Sequence, residues 1–87
     1  MIASTRYAVF TFENAHEEVA AEKVLRRAGI RSDPVPPPQD VDPGCGLALR
    51  VPLGDLAAAV AAFASSDSAW DSVYELGFLQ EVVAKLG

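Results

Sequence analysis

The segment Tyr7-Ala8-Val9-Phe10-Thr11-Phe12 constrains the fold more than any other part of the chain. It is β-branched, aromatic and apolar at both odd and even positions. A strand with no polar face needs cover on both sides, which places it in the middle of a sheet. The rest of the chain has to be arranged around that strand. At 87 residues and 51% hydrophobic, the chain has material for one domain with a real core. A domain this short also gains by associating.

The central strand is followed at once by a helix signal. Asn14-Ala15-His16-Glu17 fits a capping box, with Asn14 as N-cap and Glu17 reaching back. Ala20, Ala21, Val24, Leu25 and Ala28 then recur at helical spacing, with Glu18, Glu22 and Arg26 interleaved, and Gly29 supplies a left-handed stop. This predicts a helix from about His16 to Ala28. Ile30 to Val35 reads as a short edge strand, because Pro34, Pro36, Pro37 and Pro38 forbid regular pairing beyond it. Gln39 to Gly44 is a turn-rich loop. Leu47 to Val51 is a third strand, and a second helix runs from about Asp55 to Ala64, with Leu56, Val60 and Phe63 on one stripe. Ser72 to Leu76 is a fourth strand. Phe78, Leu79, Val82, Val83 and Leu86 fit an amphipathic helical tail.

The predicted fold is α+β, a ferredoxin-like βαββαβ sandwich. It has a four-stranded antiparallel sheet with two helices on one face, plus a C-terminal helix. Residues 1–76 form the domain and 77–87 the helical extension. Burying three or four apolar side chains of that tail is worth on the order of 1.5–3 kcal/mol each before ordering costs. The tail is therefore expected to dock, on the open sheet face or on another subunit, with Trp70 and Tyr74 as partners. A homodimer through the sheet face and tail is the expected assembly.

Composition narrows the function. The net charge of −5 argues against nonspecific nucleic-acid binding, which needs lysine and arginine to displace counterions. Lys23, Arg26 and Arg27 fall in the last turns of the first helix, where they complement its dipole. No window approaches the ~20 apolar residues that span a bilayer. Met1 to Arg6 lacks the basic start and apolar stretch of a signal peptide. One cysteine makes no internal disulfide, which fits a reducing compartment. The chain is expected to be cytoplasmic, free of membrane and without a cofactor.

That cysteine is the candidate for chemistry. Cys45 stands between Gly44 and Gly46, just after the proline-rich connection and just before the third strand. In the predicted topology the third strand neighbours the first and starts at the end where the first helix begins. Cys45 is then expected close to Asn14 to Glu17. By strand alternation it shares parity with Leu47, Leu49 and Val51, the helix-covered face, while Gly46, Ala48 and Arg50 take the open face. A helix N-terminus offers free N–H groups and partial positive charge. Flanking glycines let further N–H groups approach the sulfur. Both favour the thiolate over a thiol of ordinary pKa, about 8.5. His16 adds a proton acceptor or a positive neighbour, and Glu17 works against it. The competing reading makes Cys45 a small buried hydrophobe, inert in the core.

The same residues carry a resemblance. Phe10-Thr11-Phe12, Ala15-His16, Ala21-Glu22-Lys23, Ala28-Gly29-Ile30, Pro36-Pro37-Pro38 and Cys45-Gly46-Leu47-Ala48-Leu49-Arg50 resemble the selenium/sulfur carrier protein-like family over about Tyr7 to Leu76. The C-G-x-A-L-R string is the specific part. The resemblance implies that Cys45 holds sulfur or selenium as a persulfide or perselenide, that Gly46 and Arg50 belong to the motif, and that His16 matches a helix-start histidine. It implies donor and acceptor proteins as partners, and a stoichiometric shuttle rather than a turnover enzyme. Asp42-Pro43-Gly44 departs from the serines more common there and makes the surroundings of the thiol more acidic.

Other chemistry finds less support. One cysteine and one histidine fall short of the four ligands of a structural zinc site, so no metal is expected. Gly44-Cys45-Gly46 lacks the lysine and hydroxyl of a phosphate loop. Asp40 and Asp42 read as turn residues. Arg50 is either an anion ligand or an ion-paired strand arginine. The principal alternative function is a noncovalent small-ligand or protein-interaction module in which Cys45 is structural. A thiol enzyme or peroxide sensor lacks a resolving cysteine in this chain.

Overall fold

In the computed structural model, residues 6–37, 47–77 and 81–87 are described. Within them the elements are β1 (Tyr7–Thr11), α1 (Ala15–Arg27), β2 (Asp33–Val35), β3 (Ala48–Pro52), a 3-10 turn (Leu53–Asp55), α2 (Leu56–Ser65), β4 (Ser72–Leu76) and β5 (Val82–Lys85). The fold is α+β. All strand pairings are antiparallel, in the order β2-β3-β1-β4-β5.

β1 takes the central position that its two apolar faces require. Phe10 lies opposite Leu49 on β3 and Val73 on β4, and Val9 lies opposite Arg50 and Tyr74. Phe10, Leu49, Val51 and Val73 face Ala21 and Leu25 of α1 and Ala59 and Phe63 of α2 in one buried cluster. Both helices therefore cover the same side of the sheet. Phe10 meets Phe63 edge-on (centroids 5.0 Å apart, planes at 88°) and Trp70 at 5.3 Å and 76°. Such pairs add about 0.5–1.5 kcal/mol each beyond the area they bury. The other face carries a smaller cluster, Val9, Ala48 and Leu76, ringed by half-buried Tyr7, Val35, Tyr74 and Val82.

The ends of α1 follow from its sequence. The Asn14 side chain accepts a hydrogen bond from the Glu17 N–H at 2.9 Å. Glu17 and Glu18 sit in the first turn and Arg26 and Arg27 in the last, both favourable to the dipole. At the far end Gly29 is left-handed (φ +76°). The Gly29 N–H reaches Arg26 C=O at 3.1 Å and the Ile30 N–H reaches Leu25 C=O at 2.9 Å, the paired bonds of a Schellman stop. α2 ends the same way without a glycine. Asp67 takes the left-handed conformation (φ 58°), and the Ser68 N–H donates to Phe63 C=O at 2.9 Å.

Three expectations need correction. The sheet has five strands, not four. The C-terminal helix is absent over Val82–Lys85, which form β5 along the free edge of β4; Phe78 and Leu79 lie outside the described residues. The pairing continues past the strand, with the Leu86 N–H donating to Val73 C=O at 2.7 Å and the Val73 N–H to Gly87 C=O at 2.9 Å. The apolar spacing of the tail fits a helix, but Val82-Val83 is β-branched and favours a strand. The unpaired N–H and C=O groups along β4 decide in favour of a strand. The segment thus docks on the sheet edge. Finally, Val60 is exposed. The buried residues of α2 are Ala59 and Phe63, with Leu56 partly buried on the same line, which turns Val60 to the side.

Candidate functional site

The expected site lies where β3 begins and α1 starts. Thr11, the last residue of β1, pairs with Ala48, the first of β3. Asn14, the N-cap of α1, follows Thr11 by three residues. The start of β3 and the N-terminus of α1 therefore share one end of the sheet, as the topology predicted. Alternation holds from Ala48 onward, with Leu49 and Val51 in the helix-covered core and Ala48 in the cluster of the opposite face, but it does not extend to Leu47, which strand parity places in the covered layer. Leu47 is exposed. Gly44, Cys45 and Gly46 lie outside the described residues.

His16 is exposed in the first turn of α1. Arg50 is on the other face. Its guanidinium lies 3.4 Å from the Asp33 carboxylate of β2 and its Cζ stands 4.4 Å from the centre of the Tyr7 ring. Arg50 is thus an ion-paired, stacked strand arginine, and the sheet separates it from His16.

A buried acid near the same helix start escaped the sequence reading. Its sequence position places Glu18 among the interleaved polar residues of α1, yet it is only 2% exposed. It lies three residues before Ala21 and seven before Leu25, the two buried apolar residues of this helix, so all three share one stripe. That spacing was the available signal. Among the described residues its Oε2 has no hydrogen-bond partner. Burial pushes its carboxyl up from the ordinary 4.5, and the charge of Glu22 and a hydrogen bond with Glu22 add to the effect.

At the opposite end of α1 a groove of about 560 Å³ opens toward β2, lined by Glu22, Arg26, Ile30, Arg31 and Ser32 among others. It is remote from the start of β3. Among the described residues no cluster of three or more His, Cys, Asp or Glu is placed to hold a metal ion. No described helix is long and apolar enough to cross a membrane.

The model of a protein family described as "Putative Se/S carrier protein-like" matches residues 7–75. The chain belongs to this family. The match runs from the first residue of β1 to Glu75 in β4, so it takes in both helices and the start of β3 and stops short of β5. Neither a curated protein nor a solved structure matches the chain.

Proposed function

We propose that this protein is a stoichiometric sulfur or selenium carrier that holds the chalcogen on Cys45. The observation that carries the reading is membership of the Se/S carrier-like family across residues 7–75, a span that includes Cys45. The pairing of Thr11 with Ala48 supports it, because it brings the beginning of β3 to the end of the sheet where the free N–H groups of α1 emerge. The step is thiol–persulfide exchange. The Cys45 thiolate attacks the outer sulfur of a donor persulfide, the donor S–S bond breaks, and the donor leaves as a thiolate. Cys45 is left as a persulfide with no net oxidation. Transfer to an acceptor thiolate repeats the exchange in the opposite sense.

In this reading Gly44 and Gly46 supply backbone N–H groups to the sulfur and His16 moves a proton near it. The partners are donor and acceptor proteins, and the setting is the reducing cytoplasm. The strand order β2-β3-β1-β4 with two helices on one face supports a ferredoxin-like fold extended by β5. Arg50 contributes by holding β2 to β3 through Asp33 rather than by binding an anion.

Intact-mass measurement after incubation with a cysteine desulfurase and cysteine tests the proposal. The wild type is expected to gain one sulfur, removed by a thiol reductant, and Cys45→Ser to gain none. A folded wild type that gains no sulfur, or a Cys45→Ser variant that gains as much, overturns it and leaves a noncovalent module as the better reading.

A further inference from the structure

The groove between the end of α1 and β2 gathers positive charge that the rest of the chain lacks. The net charge is −5, yet Lys23, Arg26, Arg27 and Arg31 are four of the seven lysines and arginines, and no acid lies between Glu22 and Asp33. Of these four, Arg26 and Arg31 line the groove, together with Ile30, Ser32 and Pro34. The Schellman stop fixes how the two arginines stand. Arg26 is in the last turn of α1, and Arg31 follows Ile30, whose N–H is tied to the Leu25 C=O at 2.9 Å.

Neither guanidinium is neutralised. Glu22 stands four residues before Arg26, the order and spacing that favour an ion pair along a helix. It makes no such pair, and its side chain is hydrogen-bonded to the buried Glu18. Among the described residues Arg26 and Arg31 have no ion-pair partner. Arg6 and Arg50 differ, being paired with Glu75 and Asp33.

We propose that this groove binds a small organic anion, a carboxylate or phosphate carried on an apolar body, with Arg26 and Arg31 holding the charged head. A guanidinium presents paired N–H donors that match the oxygens of either head group. Ile30 and Pro34 supply apolar lining for the body, and the Ser32 hydroxyl adds a donor. The groove volume of about 560 Å³ falls within the range of small-molecule sites, roughly 300–1,000 Å³. Glu22 lines the groove as well and opposes the bound negative charge. Both arginines are exposed, so salt weakens the attraction. The groove lies at the end of α1 away from the start of β3, and the proposal is independent of the chemistry assigned to Cys45.

Phenyl phosphate and benzoate are the probes, with benzyl alcohol as the uncharged body. Each is titrated at low salt and followed by backbone amide shifts in NMR. Saturable shifts centred on Ile30, Arg31 and Ser32 are expected with one or both anions and not with benzyl alcohol, and the tighter anion names the head group. Arg26→Gln and Arg31→Gln are each expected to weaken binding by about tenfold. Arg27→Gln removes the same charge from the same helix turn but outside the groove, and is expected to change binding by less than about twofold. Glu22→Gln is expected to tighten it by about twofold or more. Thermal melts confirm that the arginine variants are folded; all three positions are exposed, so no large loss is expected. Amides of Ile30 to Ser32 that respond to neither anion overturn the proposal. So does an Arg27→Gln loss equal to that of Arg26→Gln, which marks attraction to charge at large, or benzyl alcohol that binds as tightly as the anions. A groove that takes an acidic peptide and neither small anion counts equally against it.

Discussion

The two faces of the sheet are built to different degrees of completion. Under the helices Phe10, Leu49, Val51 and Val73 meet Leu25, Ala59 and Phe63, so a full apolar layer is closed within the chain. On the other side Val9, Ala48 and Leu76 are also buried, but they form a smaller cluster ringed by half-buried Tyr7, Val35, Tyr74 and Val82. More apolar side chain is buried under the helices than on the opposite face, so stability is concentrated on the helix-covered side. Both come from β1, whose alternate residues feed both layers.

Truncation measures that contrast. Phe10→Ala removes the ring that meets Phe63 and Trp70 and is expected to cost about 3–5 kcal/mol in chemical denaturation. Val9→Ala, its neighbour in the smaller cluster of the opposite face, is expected to cost about 2 kcal/mol. Equal costs after allowing for the atoms removed would erase the distinction between the faces.

Glu18 is a titratable group set into the covered layer, and it gives that layer a pH dependence. Its carboxyl titrates higher when folded than when unfolded. The folded chain thus holds the proton over a window where the unfolded chain has released it. Stability from this group is complete below about pH 4.5, the ordinary value, and is lost as pH rises through the raised folded value. Glu18→Gln is expected to flatten stability against pH over that window and to melt higher than wild type at pH 7. A parallel pH profile in the variant would mean that the burial of this acid carries no cost.

The helices that make the covered face end in matching turns with different residues, and this sets the smallest effects. Gly29→Ala forces a Cβ into the left-handed region and is expected to cost about 1–2 kcal/mol. Asp67→Gly relieves the same strain at the end of α2 and is expected to gain under about 1 kcal/mol. Urea midpoints of the two variants moving in the same direction would show that the turns are not equivalent.

Much of this architecture is legible in the residues. The two apolar faces of β1, the Asn14 cap, the Gly29 stop and the prolines after β2 each have a local physical cause. They also locate the beginning of β3 beside the beginning of α1. β5 is not legible, because its apolar spacing fits a helix and the deciding factor is an unpaired edge contributed by β4. Glu18 is concealed by its type: a carboxylate at helical spacing reads as solvent-facing unless its phase is compared with Ala21 and Leu25. Asp67 is hidden because an aspartate rather than a glycine turns the chain. For the site, the motif nominates Cys45, which lies outside the described residues, and the sheet register separates His16 from Arg50, a partition that depends on which face each element presents.

The proposal that Cys45 carries the chalcogen requires an accessible and readily ionised thiol, and its alkylation rate against pH tests that most directly. The account predicts a rate near neutral pH above that of glutathione, with a midpoint below the ordinary thiol value of about 8.5. A rate and midpoint equal to those of glutathione, or a thiol that reacts only when the chain is unfolded, would contradict it.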